Sequence, residues 1–455
     1  MTQPSKILPS LIVLMYCALA IGYAILTPPW ESPDETAHYL YAAHLAQRWR
    51  PEAATGIEQT QSFSKDQNYI SSSYEWFQPA LGYLPAALAY KIIHHFAPQS
   101  LPDEMPKLSA LAPEVHRRYN IFLHPEKNLA ETWSAAWGLL VMRIVSSLTG
   151  LVIILAAYAT GNLLDEQSGL LGITAAGLIA FLPQFTYINA SVRGDTLTSA
   201  IAALVFLLAA KIQLPGGLSN RQAGWMGLLL GLGLLSKNTF VYMLPIGLMA
   251  ILLPNLKNPR QWFKPALTMI IAALVVFGAY YLAFDEARTA LNYTANAMLK
   301  IKPEYLQWDY LKTIPAPLLI DLFYARFGWA NIAVAAIWTN SAFFLWSVGA
   351  GLSLNQFIVH AKKTLTKPQV QIFFLLLAGI FFGLLGALRF NLSVYQPQGR
   401  FLFPVLLPWA LLGLWGIWQI LSPANKKHAA LLLTGGMLLF NVYALFSVLF
   451  PAFWR

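Results

Sequence analysis

Charge is scarce in this sequence. Of 455 residues, 11% are Asp, Glu, Lys or Arg, against roughly 25% in soluble domains. That excludes a soluble globular enzyme, a disordered chain and a coiled coil. Cysteine is nearly missing as well. Cys17 stands alone inside an apolar run, so neither an intrachain disulfide nor a Cys-based metal site can form. His38, His94, His95, His116 and His124 show no H-E-x-x-H or other zinc spacing. No internal repeat is visible. The basic residues do not cluster either: the net charge of +10 is spread over many short loops, which speaks against a nucleic-acid partner. Apolar residues are abundant instead. With 57% hydrophobic and 14% aromatic residues, the chain reads as an all-α polytopic membrane protein.

Eleven runs are long and apolar enough to cross a bilayer: 7–27, 136–163, 168–189, 196–213, 222–236, 239–254, 265–284, 334–356, 370–388, 401–421 and 429–450. The fifth and sixth are short and meet at Ser236-Lys237-Asn238, a polar break of the kind tolerated where backbone lines a cavity. The first has one n-region charge, Lys6, and no small-x-small site before Pro28; it is expected to remain as an uncleaved helix. Residues 76–96 contain Pro79 and Pro85 and end in Lys91, His94 and His95. Placed on the membrane surface, they leave Lys211/Arg221, Lys257/Arg260/Lys264, Lys362/Lys363/Lys367 and Lys426/Lys427 on the side of Lys6, as the positive-inside rule requires; a crossing there would reverse the pattern. Of the 20 acidic residues, only Asp165 and Glu166 then face the cytoplasm, leaving eighteen outside. Acidic residues contribute little to orientation, so their segregation points to chemistry on the outer face. We expect one integral membrane domain over 1–455 without a separate soluble domain. Its long outer loops are 28–135, with juxtamembrane helices at about 32–49 and 79–96, then 285–333 and 389–400.

The first outer loop opens with Pro28-Pro29-Trp30-Glu31-Ser32-Pro33-Asp34-Glu35-Thr36-Ala37-His38. Ser32 and Glu35 match the S-x-x-E capping box, with Pro33 at the first helical position. A helix is therefore expected from Ser32 to about Trp49. Asp34 and His38, four apart, share one of its faces. A carboxylate buried at a membrane interface has its pKa raised, which suits it to proton abstraction.

A Pro-x-Asp-Glu-x-x-His/Tyr sequence directly after the first membrane helix resembles the GT-C superfamily of integral membrane glycosyltransferases, which use polyprenyl-phosphate sugars. It is most similar to an uncharacterised bacterial membrane-protein family within it that carries P-D-E-x-A-H-F/Y. Further marks follow in order. Gln78-Pro79-Ala80-Leu81-Gly82-Tyr83 resembles P-P-L-x-Y, and Arg143 the Arg that opens the second membrane helix. The run Asn189 to Asp195 resembles the outer turn that usually reads N-D, with Gly194 in place of Asn. Leu235-Ser236-Lys237 resembles L-x-K, Phe323 to Trp329 resembles F-W-G-R-F-G-W, and Gln398 to Pro404 resembles Q-G-R-Y-L-F-P.

The resemblance implies a GT-C-like fold and an inverting glycosyl transfer at the outer face of a bacterial inner (plasma) membrane. A polyprenyl-phosphate sugar would be the donor, and a glycan, lipid or protein of the envelope the acceptor. Such chemistry needs a base for the acceptor hydroxyl and positive charge for the leaving phosphate. Asp34 is the expected base, with Glu35 or Asp195 orienting the acceptor. Arg400, Lys237 and Arg326 are the expected phosphate ligands, since a cation this close to the bilayer is costly without an anion. His38, Tyr41, Gln398 and Trp329 are candidates for substrate contact, with Trp30 and Trp76 as further stacking surfaces. Asp34 and Asp195 also leave room for a shared Mg²⁺ or Mn²⁺. The rival readings are a transporter or flippase of lipid-linked sugars, a ligase that moves a whole glycan, and a non-catalytic membrane scaffold.

Overall fold

The computed structural model describes residues 7–51, 75–102, 119–122, 124, 126, 128–165, 168–298, 300–360 and 365–454. The stretches 52–74 and 103–118 of the first outer loop, with His116, lie outside the described residues, as do Glu166, Lys362 and Lys363.

Among the described residues, nine helices are long and apolar enough to cross a membrane. The pair Leu170–Ala180 and Pro183–Asn189, bent by 62°, makes a tenth if it counts as one broken span; Pro183 lacks the N–H that would continue the first helix. The eleventh expected run is the helix Asn220–Ser236; at 17 residues it sits at the lower limit for crossing. Helix Leu406–Ile420 is apolar all round and buried along nearly its whole length, as a helix at the centre of a bundle must be. Ser353 joins it to its neighbour Ala336–His360: the Ser353 hydroxyl donates to the Leu412 carbonyl and accepts from the Gly416 amide, both at 2.6 Å. Pro259–Ala283, by contrast, exposes Leu274, Val275 and Leu282, the surface expected to meet lipid.

The juxtamembrane helix spans Glu35–Arg48, three residues shorter at its start than the capping pattern predicts. Asp34 precedes it in the left-handed region (φ 63°), and no side chain caps the helix. The Ser32 hydroxyl and the Pro33 carbonyl are taken by Arg193 instead, and Glu35 turns inward to a buried arginine. Aspartate is among the few residues that tolerate this backbone region. The second surface helix, Leu84–Phe96, has 13 residues, about 20 Å at 1.5 Å per residue and too short to cross. It packs against Glu35–Arg48 and Leu129–Leu164. The 285–333 loop carries a two-stranded antiparallel hairpin, Arg326–Phe327 with Ile332–Ala333.

Candidate active site

Two buried arginines shape the floor of the site. Arg143 of the long helix Leu129–Leu164 is fully buried and uses every donor it has. Nε and Nη2 grip the Glu35 carboxylate at 2.8 and 2.5 Å. Nη1 donates to the carbonyls of Ala24 and Thr27, and Nη2 also to that of Pro28. Glu35 in turn accepts from the amides of Trp30 and Val192. One ion pair thus ties together the end of the first helix, the proline turn, the juxtamembrane helix and the 190–194 turn. Arg193, equally buried, holds Ser32 and Pro33 and with them the left-handed turn that sets the direction of Asp34.

Above this floor opens a cavity of about 660 Å³, within the range of ligand sites. Residues distant in sequence meet on its walls. Asp34 pairs with Arg400, 366 positions away. Asp195, at the start of Asp195–Ile212, pairs with Lys237 at the break after Ser236. Two glycines allow these approaches. A Cβ on Gly82 would sit 2.6 Å from the Ser236 carbonyl and 2.9 Å from that of Gly194. One on Gly399 would collide with the backbone of Phe323. Phe401 lies between the two cations, its ring centroid 5.4 Å from Lys237 Nζ and 5.6 Å from Arg400 Cζ. The Arg400 side chain is 6% exposed, and its Nε and Nη1 have no hydrogen-bond partner among the described residues. Buried donors left this way cost about 1–3 kcal/mol each, a deficit that a bound anion removes.

Two further groups titrate in unusual ranges. His38 shares a hydrogen bond between Nδ1 and the Tyr83 hydroxyl, 3.1 Å. Burial pushes its imidazole down to about 4, against the opposing influence of Asp195 and Asp34, so it is neutral at pH 7. Glu75, half-buried in the cavity wall, is pushed up to about 7 by burial and then by the charge of Asp34.

Of the residues singled out from sequence, Asp34, His38, Asp195, Lys237, Arg326, Trp329, Gln398 and Arg400 all line this cavity, as does Trp76. Arg326 is also held by the Ala330 carbonyl and faces Asp321 at 3.8 Å. Glu35 does not line it, because Arg143 claims both its oxygens. Tyr41 is buried outside the cavity, its hydroxyl donating to the Gln78 carbonyl. Trp30 packs edge-on against Tyr39, also outside. The residues present do not fit a divalent cation between Asp34 and Asp195. Each carboxylate is engaged by a cation, and among the described residues no three His, Cys, Asp or Glu side chains converge. Sequence reasoning missed Glu75, Lys302 and Arg193. The one available signal for Glu75 was an acid set among aromatics, Tyr74-Glu75-Trp76-Phe77, just before the Gln78-Pro79 motif.

Comparison with known proteins bears on the fold. The model of the family described as "Predicted membrane protein (DUF2142)" matches residues 129–408. No curated protein matches the chain. Among solved structures, the chain is similar to ArnT from Cupriavidus metallidurans in the apo state, with a TM-score of 0.51 and 11% identity over 93% of this chain and 62% of that one. The chain thus spans about three fifths of the length of apo ArnT. ArnT bound to undecaprenyl phosphate aligns with a TM-score of 0.48 and 11% identity, over 97% of this chain and 73% of that one. At this identity the likeness to apo ArnT is one of fold: a GT-C-like, predominantly helical membrane protein.

Proposed function

The chain belongs to the predicted membrane protein family DUF2142, and we propose that it is a membrane glycosyltransferase that takes its sugar from a polyprenyl-phosphate donor. The observation that carries this reading is the wall of the cavity at Arg400. There a buried guanidinium with unpartnered donors, a second cation at Lys237 and the Asp34 carboxylate share one space. That set matches the demands of displacing a phosphate from an anomeric carbon: positive charge for the leaving group and a carboxylate for the incoming hydroxyl.

In the proposed reaction the donor phosphate docks on Arg400 and Lys237. It competes with Asp34 for the Arg400 guanidinium, so donor binding loosens the ion pair and releases the base. The acceptor hydroxyl attacks the anomeric carbon from the face opposite the phosphate. The C–O bond to phosphate breaks, polyprenyl phosphate leaves, and the hydroxyl proton passes to Asp34. The configuration inverts. Asp195, held by Lys237, orients the acceptor; Gln398, His38 and Trp329 contact the sugar; Arg326 stands at the phosphate side. The cavity faces the outer side, a reading supported by the distribution of Lys and Arg over the short loops; its place in a bacterial inner membrane rests on the resemblance to the bacterial family. The acceptor is an envelope glycan, lipid or protein.

The test is transfer from a panel of radiolabelled polyprenyl-phosphate sugars to envelope glycans by the full chain in lipid nanodiscs, with Asp34→Asn alongside. Transfer by the wild type that is lost in the folded variant supports the reading; equal transfer by both removes Asp34 as base. Ion-gradient-dependent flux of a lipid-linked sugar in sealed proteoliposomes, with no sugar transferred, would instead identify a transporter.

A further inference from the structure

Glu75 has no part in the reaction described so far, yet the fold fixes it in the same cavity with care. It opens the turn Glu75–Gln78, closed by the Gln78 amide on the Glu75 carbonyl at 2.9 Å. The turn is anchored from four other segments. The Tyr41 hydroxyl donates to the Gln78 carbonyl at 3.0 Å, and Asn238 Nδ2 donates to the Phe77 carbonyl at 3.0 Å. The Tyr280 hydroxyl accepts from the Ala80 amide at 3.1 Å. Trp76 and Phe77 pack on Tyr293, with centroids 5.0 and 5.8 Å apart. These contacts hold the backbone that carries Glu75 at the cavity wall. Among the described residues, the charged groups that act on it include Asp34, Asp195, Lys237 and Arg400, the two ion pairs of the site.

We propose that Glu75 is a second acid–base residue, which carries a proton in the empty cavity and gives it to the departing phosphate. This rests on the transfer reaction proposed above. The protons balance. As the C–O bond breaks, the phosphodiester monoanion becomes a phosphate monoester; the Glu75 carboxylic acid protonates it and is left as carboxylate. Asp34 meanwhile has taken the acceptor's proton. Exchange with water after product release strips Asp34 and reloads Glu75. The division follows the environments: Asp34 is ion-paired with Arg400, whereas burial and the charge of Asp34 favour the neutral form of Glu75. Two carboxyl groups in such different surroundings on one cavity wall are a mark of an acid–base pair. A neutral Glu75 also spares the incoming phosphodiester an anion on the cavity wall.

The experiment has an arm that needs no catalysis. Binding of farnesyl methyl phosphate, a phosphodiester that does not itself titrate in this range, is measured from pH 5.5 to 8.5 on the full chain in nanodiscs. Wild-type affinity should be flat below about pH 6, halve at about pH 7 and fall about thirtyfold by pH 8.5, the one-proton linkage for a group titrating near 7. Glu75→Gln should bind with no such fall, and Glu75→Asp should restore it. In the transfer arm Glu75→Gln should lower kcat by about 10²-fold while leaving donor KM nearly unchanged at pH 7. A wild-type affinity that does not change with pH, or the same fall in Glu75→Gln, overturns the proposal even if sugar transfer is intact. Absence of transfer from every donor overturns the reaction itself, whatever the binding arm gives.

Discussion

Asp34 and Glu35 are neighbours in sequence, and each pairs with an arginine, yet the two pairs are built to different ends. Glu35 and Arg143 are both fully buried, and the protein itself uses all the arginine's donors. Asp34 and Arg400 sit on the cavity wall, the Asp34 side chain 16% exposed, and Arg400 keeps Nε and Nη1 unpartnered. The completeness of hydrogen bonding separates them. A saturated ion pair has nothing left to offer a ligand and holds the backbone in place. An unsaturated one at a cavity is ready to exchange its partner for an anion. In this chain the first pair positions the second: Glu35 fixes the start of the helix whose preceding residue is Asp34.

The sharpest way to break the comparison is to neutralise the two neighbours in turn. Asp34→Asn should lose about 10²–10⁴-fold of the transfer rate with thermal unfolding of the purified protein unchanged within a few degrees. Glu35→Gln should do the reverse. It leaves the Arg143 charge buried without its counter-charge, a loss of about 3–5 kcal/mol, read as a fall in melting temperature and in the yield of inserted protein. If Glu35→Gln melts like the wild type but stops transfer, the division of roles drawn here is wrong and Glu35 returns to the chemistry.

A smaller effect is expected on the phosphate side. Arg400→Lys preserves the charge but removes the planar fork and its open N–H groups. Donor KM should rise about tenfold or more, the worth of one charge-assisted hydrogen bond, with kcat reduced less. An Arg400→Lys enzyme with unaltered donor KM would mean that the anion docks elsewhere, on Lys237 or Arg326.

How much of this was legible in the sequence follows from how local each signal is. Apolar runs report on themselves, so all eleven appear as helices, and the disagreement over crossings falls on the short Asn220–Ser236 and the bent pair around Pro183. Asp34, Asp195, Lys237 and Arg400 could be picked out because each sits at the end of an apolar run, where a charge needs a reason. The place of Glu35 is not legible because S-x-x-E is a local pattern, whereas its partner, Arg143, lies 108 residues away. With Arg143 pulling Glu35 inward and Arg193 holding Ser32 and Pro33, the capping box has neither of its members. Glu75 was invisible for the opposite reason. Its surroundings are assembled from the Tyr41, Asn238, Tyr280 and Tyr293 segments, and no spacing in the chain announces them.

Tyr41 gives the finest test of the same distinction. It stands one turn from His38 on the juxtamembrane helix, close enough in sequence to pass for a substrate contact, but its ring packs on Tyr83 at 4.3 Å and its hydroxyl is spent on the Gln78 carbonyl. Tyr41→Phe removes that hydrogen bond, which is worth about 1 kcal/mol. Melting should fall by a few degrees at most, and donor and acceptor KM should hold at the wild-type values. The residual effect should appear in kcat, because the bond lost is one of those that hold the turn bearing Glu75. A rise in acceptor KM instead would put Tyr41 against the substrate and require the cavity wall to open between Tyr41 and Gln78.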